Sequence, residues 1–287
     1  MNPALAALLL GATCIALSPI FVRLSEAGPT ATAFWRVALA VPALWILLFL
    51  QKQAPMNAQG TKAPWVLLLA AGAAFAGDLA FWHTSIQLTS VANSTLLANL
   101  ASIFVTLAAW LFLRQRPSGL FLAGLAAALA GVGMLVYTSL AFSLTGLAGD
   151  ALGVVTAMFY AGYILAVTQL RGRGETTLRV MALTSAISAV LLFPAALASG
   201  DTMLPATASG WWLLLGLALV SQAAGQGLIA YALAHLPAAL SSVSLLFQPV
   251  MAAVFAWVLL SEPLVPLQIA GGIVVLAGIY LARRGSG

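Results

Sequence analysis

Charge is scarce in this sequence, at 6% of residues, and cysteine scarcer still, with Cys14 alone. Soluble domains carry roughly a quarter charged residues, so a chain that is 63% hydrophobic, with a mean hydropathy of +1.08, falls outside that class. One cysteine permits neither an intramolecular disulfide nor a cysteine-based metal site. HExxH is missing, and so is a glycine-flanked catalytic serine. The tripeptide "AGD" occurs twice, ending at Asp78 and Asp150. Asp150 is expected at a membrane edge and Asp78 deep inside, whereas a two-carboxylate mechanism needs its acids within a few ångströms. The chain is therefore expected not to be an enzyme and to need no metal or cofactor.

Long apolar runs are what the sequence does have. "LLLAAGAAFAG" and "ALSSVSLLFQPVMAAVFAWVLL" do not alternate in polarity, which excludes barrel strands and leaves membrane-spanning helices of about 20 residues. Breaks at charges, proline and glycine predict ten spans, at about 3–24, 30–50, 64–88, 91–113, 119–138, 151–170, 178–198, 210–234, 237–261 and 264–282. The first lacks a basic n-region and a small-residue cleavage site, so it is expected to be a span rather than a cleaved signal.

Cationic loops stay cytoplasmic. Lys52 and Lys62 follow span 2, Arg114 and Arg116 follow span 4, Arg171, Arg173 and Arg179 surround the 6–7 connection, and Arg283 and Arg284 follow span 10. Arg23 lies opposite and Arg36 within span 2. Both termini are expected to be cytoplasmic. This distribution, together with anionic lipid, accounts for the net charge of +5 without nucleic acid.

A shift of 147 residues lays "VANSTLLANLASIFVTLAAWLFLRQRPSGLFLAGLAAALAG" over "AALSSVSLLFQPVMAAVFAWVLLSEPLVPLQIAGGIVVLAG". Trp65 meets Trp212, Ser94 meets Ser241, Trp110 meets Trp257, and Gly124 and Gly131 meet Gly271 and Gly278. Each half holds five spans, an odd number, so the second half is inverted relative to the first. Inverted repeats are the architecture of secondary transporters, whose substrate site lies near the midplane between the halves.

These residues resemble the EamA repeat of the drug/metabolite transporter superfamily, present twice, over residues 1–138 and 150–283 with a connection at 139–149. "AFWRVALAVPA" in span 2 is similar to the family's aromatic-Arg-aliphatic stretch. The segment from Leu236 to Leu281 resembles its best-marked region, with Pro249 in mid-helix, Glu262 after span 9 and Gly271 in span 10. The first half departs from the pattern, with Ser102 where the repeat usually has Pro and Gln115 where it has Glu. The resemblance implies export of amino acids or other small metabolites, with a likeness to an aromatic amino acid exporter branch.

Polar residues inside the spans are the candidate site. Asp78 lies roughly 21 Å into a core of about 30 Å. A carboxylate there costs about 2.5–3.5 kcal/mol on insertion scales, so it should face the bundle interior or a wet cavity, as a substrate contact or as a structural hydrogen-bonding group. Trp82, four residues on, shares its face and is an aromatic wall or a packing residue. His83 lies about 140° round the helix from Asp78, at the cavity mouth or in the interface. Thr13, Asn99, Tyr160, Tyr163, Ser244 and Gln248 fall near mid-depth, with Gln226 deeper toward the cytoplasm. Amides there bind a ligand's carboxylate and ammonium or else join helices, while Ser and Thr hydroxyls often bond their own backbone. Arg36, about 9 Å below the outer edge, is expected to snorkel or to bond carbonyls of a neighbouring helix. Pro249 is the expected hinge.

One cation is too few for phosphate-bearing cargo. One carboxylate, several amides and aromatic walls suit a zwitterion or a weak cation. The expectation is an all-α, ten-helix carrier of the cell membrane, that of a bacterium, with its cavity built from spans 1, 3, 4, 6, 8 and 9. It would export amino acids or related metabolites by alternating access, with Asp78 a candidate site for coupling to protons. A multidrug or quaternary-amine exporter, or a passive facilitator, is the alternative.

Overall fold

The computed structural model describes residues 2–51, 64–89, 91–114, 116–137, 146–261 and 263–286. Lys52, Lys62, Gln115, Glu262 and residues 139–145 of the connection lie outside the described residues. Among the described residues there is no strand, and ten helical stretches are long and apolar enough to cross a membrane. They are spans 1 to 10: Pro3–Leu24, Pro29–Leu50, Trp65–Ile86, Ser94–Phe112, Gly119–Val136, Leu147–Gly172, Thr177–Ala198, Ala208–Ala232, Ala238–Leu259 and Pro266–Arg284. Span 6 starts a turn earlier than expected, which puts Asp150 in its first turn, where a carboxylate complements the helix dipole.

Several spans are broken, and each break has a local cause. Proline has no N–H and its ring crowds the carbonyl four residues back. Span 1 therefore pauses at Leu17 before Pro19, span 2 at Leu39 before Pro42, and span 9 at Leu245 and Leu246 before Pro249. Span 4 breaks within one residue of the repeat-equivalent place, at Asn99 and Leu100, although Ser102 replaces the proline. Side chains do the work there. The Ser102 hydroxyl donates to the Asn99 carbonyl at 3.0 Å, and the Asn99 amide donates to the Thr95 carbonyl at 2.8 Å. Spans 4 and 9 each end in a left-handed cap, at Arg114 (φ 56°) and Ser261 (φ 55°), which are 147 residues apart. In span 8, residues Leu217–Gln226 form a π-helix.

Spans 5 and 10 pack backbone to backbone. A Cβ on Gly278 would lie 2.5 Å from the Ala128 nitrogen, and one on Gly124 would lie 2.4 Å from the Ala282 nitrogen. Gly131 and Gly271 face each other's carbonyls in the same way. Each helix thus presents its glycines to the other, as an inverted repeat about a pseudo-two-fold axis requires. Trp65, Trp110, Trp212 and Trp257 are all about half exposed or more, and stand near span ends, where indoles meet the interfacial region.

Loops at the Arg23 end are tied together reciprocally. Glu26, between spans 1 and 2, accepts from the Ala206 and Thr207 amides, 2.8 and 2.9 Å away, and from the Thr207 hydroxyl, at the start of span 8. Asp201, between spans 7 and 8, accepts from the Thr30 amide at 2.8 Å, at the start of span 2. Each carboxylate caps the other unit's helix.

Candidate functional site

Mid-span polar residues converge on a cavity of about 130 Å³ between the two halves. Spans 1, 3, 4, 6, 8 and 9 all contribute, and span 2 adds a seventh wall through Arg36. Asp78, Leu79 and Trp82 present one face of span 3 to it. Gly77 lets that helix close on span 6, since a Cβ there would meet the Phe159 ring at 2.5 Å. Asn99 reaches the cavity from the break in span 4, and Gln248 and Pro249 reach it just after the break in span 9. Tyr160 comes from span 6 and Gln226 from the last residue of the π-helix. The Tyr160 hydroxyl faces the amides of Gln226 and Gln248.

Arg36 departs most from expectation. It does not snorkel, and among the described residues its bond goes to a side-chain amide rather than to a backbone carbonyl of a neighbouring helix. It is only 4% exposed and points inward, donating from Nε to Gln222 Oε1 at 3.2 Å, with its guanidinium 5.9 Å from the centroid of the Phe75 ring. Asp78 faces it electrostatically across the cavity. The interior offers this guanidinium an acceptor, a π-face and an opposite charge, which together offset desolvation. The signal was present in the sequence: a span with one cation and a span with one carboxylate in the same bundle are expected to interact.

Four expected residues do not reach the cavity wall. His83 is fully buried and does not line the cavity; its Nδ1 is 2.6 Å from the Leu79 carbonyl, and its ring stands edge-on to Trp82. The turn of the helix that brings Asp78 and Trp82 to the cavity carries His83 away from it. Thr13 and Ser244 bond the carbonyls of Leu9 and Leu240, the backbone-bonded alternative for small hydroxyls. Tyr163 stands behind the wall, its ring 4.7 Å from Phe75 and 6.2 Å from Tyr160, and its hydroxyl 3.8 Å from Met181 Sδ. Sequence reasoning also passed over Gln222, Thr95 and Thr156, whose cue was no more than a polar residue among small ones, as in "SQAAGQG".

Ser18 Oγ, Gln226 Oε1 and Gln248 Nε2 are buried, belong to residues of the cavity wall, and have no partner among the described residues. Buried polar atoms are almost always satisfied. Here an acceptor, a donor and a hydroxyl are held ready beside two opposite charges, an arrangement complementary to a small molecule that itself carries both signs.

An inverted ten-helix bundle with a polar midplane cavity is the form of a membrane carrier. The chain belongs to the EamA-like transporter family, which it matches twice, over residues 2–137 and 147–284. It is a multi-pass membrane protein. It is 30% identical over 257 residues to the pseudopaline exporter CntI of Pseudomonas aeruginosa, covering 88% of this chain and 86% of that one. A probable terminal-alkyne amino-acid exporter of Streptantibioticus cattleyicolor is 31% identical over 67% of this chain and 64% of its own length. An uncharacterized transporter of Archaeoglobus fulgidus is 29% identical over 91% of both chains. A solved crystal structure superposes with a TM-score of 0.85 over 98% of this chain and 97% of the other, at 15% identity, which bears on the fold alone.

Proposed function

We propose that the protein exports a small zwitterion, an amino acid or an amino-acid derivative, across the cell membrane by alternating access. The observation that carries this reading is the cavity wall, on which Arg36 and Asp78 stand with the unpartnered amide atoms of Gln226 and Gln248. A guanidinium suits a carboxylate, a carboxylate suits an ammonium, and the amides serve either end. A cation in the wall works against purely cationic cargo, which disfavours the quaternary-amine alternative. The names of the relatives, one an amino-acid exporter, support the same class. Breaks in spans 1, 4 and 9 beside the cavity supply places where backbone can bend between inward- and outward-open states. The cationic loops orient both termini to the cytoplasm.

Purified protein in proteoliposomes, loaded with the twenty proteinogenic amino acids in turn, should give saturable counterflow with a subset of them. Flux that rises without saturation would replace the carrier with a channel. Competition by organic cations alone, with no amino acid active, would overturn the zwitterion reading.

A further inference from the structure

Arg36 is gripped from two sides by repeat-equivalent positions. Phe75 in span 3 and Gln222 in span 8 are 147 residues apart, and one lies under the guanidinium while the other accepts from its Nε. Gln222 is 1% exposed and both ends of its amide are used: Oε1 faces Arg36, and Nε2 donates to Ser185 Oγ at 3.2 Å. Ser185, in span 7, is fully buried. The amide has one consistent orientation, because Arg36 Nε can only donate. Its oxygen must face the arginine, and the serine hydroxyl, which can accept, takes the nitrogen.

A guanidinium offers a carboxylate two bidentate edges, one made by Nε with a terminal nitrogen and one made by the two terminal nitrogens. Gln222 occupies Nε, so only the terminal edge remains for the cavity. The ring of Phe75 backs the guanidinium, with Cζ 5.9 Å from its centroid. We infer that Gln222, braced by Ser185, is a positioning residue that aims the terminal edge of Arg36 at the carboxylate of the transported molecule, which leaves Asp78 for the ammonium end. This inference rests on the zwitterion reading of the cavity.

The probes that test it are the twenty amino acids and their carboxamides, which keep the ammonium and side chain but lose the carboxylate charge. Affinity is measured by ligand-dependent thermal stabilisation of the full chain. The parent protein should prefer acid over amide. In Gln222→Leu the preference should fall about tenfold, through weaker binding of the acid, while binding of the amide stays as in the parent. Ser185→Ala loosens the brace without touching the arginine and should lower the same ratio by about threefold, which covers the case in which Gln222→Leu does not fold. A parent protein that binds no acid, or binds acid and amide alike, refutes the zwitterion reading and this inference with it. A parent that discriminates, with variants that discriminate equally well, refutes the positioning role alone. Equal losses for acid and amide would reduce Gln222 to a structural residue.

Discussion

Replacing Arg36 by methionine removes a charge and a donor while keeping an unbranched stem. The loss of the Nε bond strands Gln222 Oε1 in a residue that is 1% exposed, at a cost of about 1–3 kcal/mol. It also leaves Asp78, half-buried in the cavity wall, facing no cation, and the two losses cost about 3–5 kcal/mol in all. Asp78→Leu strands the guanidinium, which keeps Gln222 and Phe75 as neighbours, so its cost should fall toward the lower end of that range. In the double variant no charge is stranded and the amide alone is unsatisfied, about 1–3 kcal/mol. The cycle should therefore show a coupling of at least about 3 kcal/mol between the two positions. For a chain of this size each kcal/mol moves Tm by roughly 2 °C, so Arg36→Met should melt about 6–10 °C early and the double variant only about 2–6 °C early. Thermal unfolding in detergent, followed by intrinsic fluorescence, reads all four proteins. If the two single shifts add to the double shift within about 0.5 kcal/mol, the charges do not interact across the cavity and the site has been misread.

Gly278→Leu forces a side chain into the Ala128 and Gly124 backbone and should destabilise by at least the ~1–3 kcal/mol of an overpacked core, whereas Gly133→Leu, with nothing near its Cβ position, should melt like the parent. Hydrogen bonds from the Thr207 side chain, and then from the Thr207 and Ala206 amides, hold the Glu26 carboxyl below the usual glutamate range. Its stabilisation is thus complete above that range and is lost as pH falls through the depressed value, so Glu26→Gln should flatten the acid limb of a Tm against pH profile; an unchanged limb would mean the cap contributes nothing. Cysteine at Gly172, the last residue of span 6, should react with a membrane-impermeant thiol reagent only in opened cells, and labelling of intact cells would reverse the proposed orientation. Asp78→Asn should abolish the acceleration of transport by an imposed pH gradient while leaving exchange intact; a variant that still responds like the parent removes Asp78 as the coupling site.

The spans and the repeat were legible because lipid imposes length and apolarity, and those are written residue by residue. Asp78, Asn99, Tyr160, Gln226 and Gln248 were legible as cavity residues for a related reason, since a polar group at mid-depth needs an interior address. Facing was harder to read. Thr13, Tyr163 and Ser244 are as polar and as central as their neighbours, and only the packing decides that two of them turn to their own backbone and one to Met181. Arg36 was misjudged on depth alone: snorkelling is open to a long side chain near a span end, but the inward partners come from spans 3 and 8, which no local reading of span 2 contains. The π-helix of span 8 left no sequence mark beyond small residues around two glutamines.

The two halves agree in backbone over spans 4 and 5 against 9 and 10, although spans 1 and 2 break where spans 6 and 7 run on, and they differ in chemistry. Left-handed caps and facing glycines recur at 147 residues, and the breaks of spans 4 and 9 within one residue of that shift, even where Ser102 has to replace the effect of a proline. Side chains at the cavity do not recur. Arg36 and Asp78 both belong to the first half, with Leu183 and Gly225 as their equivalents, while Gln226 and Gln248 belong to the second, opposite Leu79 and Ala101. The same division explains how Arg36 is held, by an apolar ring from its own half and by an amide from the other, at equivalent positions. A zwitterion has two unlike ends, so a site on a pseudo-two-fold axis can bind it in one orientation only if the halves present unlike groups. Interchange of inward- and outward-open states asks the opposite of the backbone, because each half has to adopt the shape that the other leaves. The matched breaks of spans 4 and 9 beside an inequivalent wall meet both demands at once.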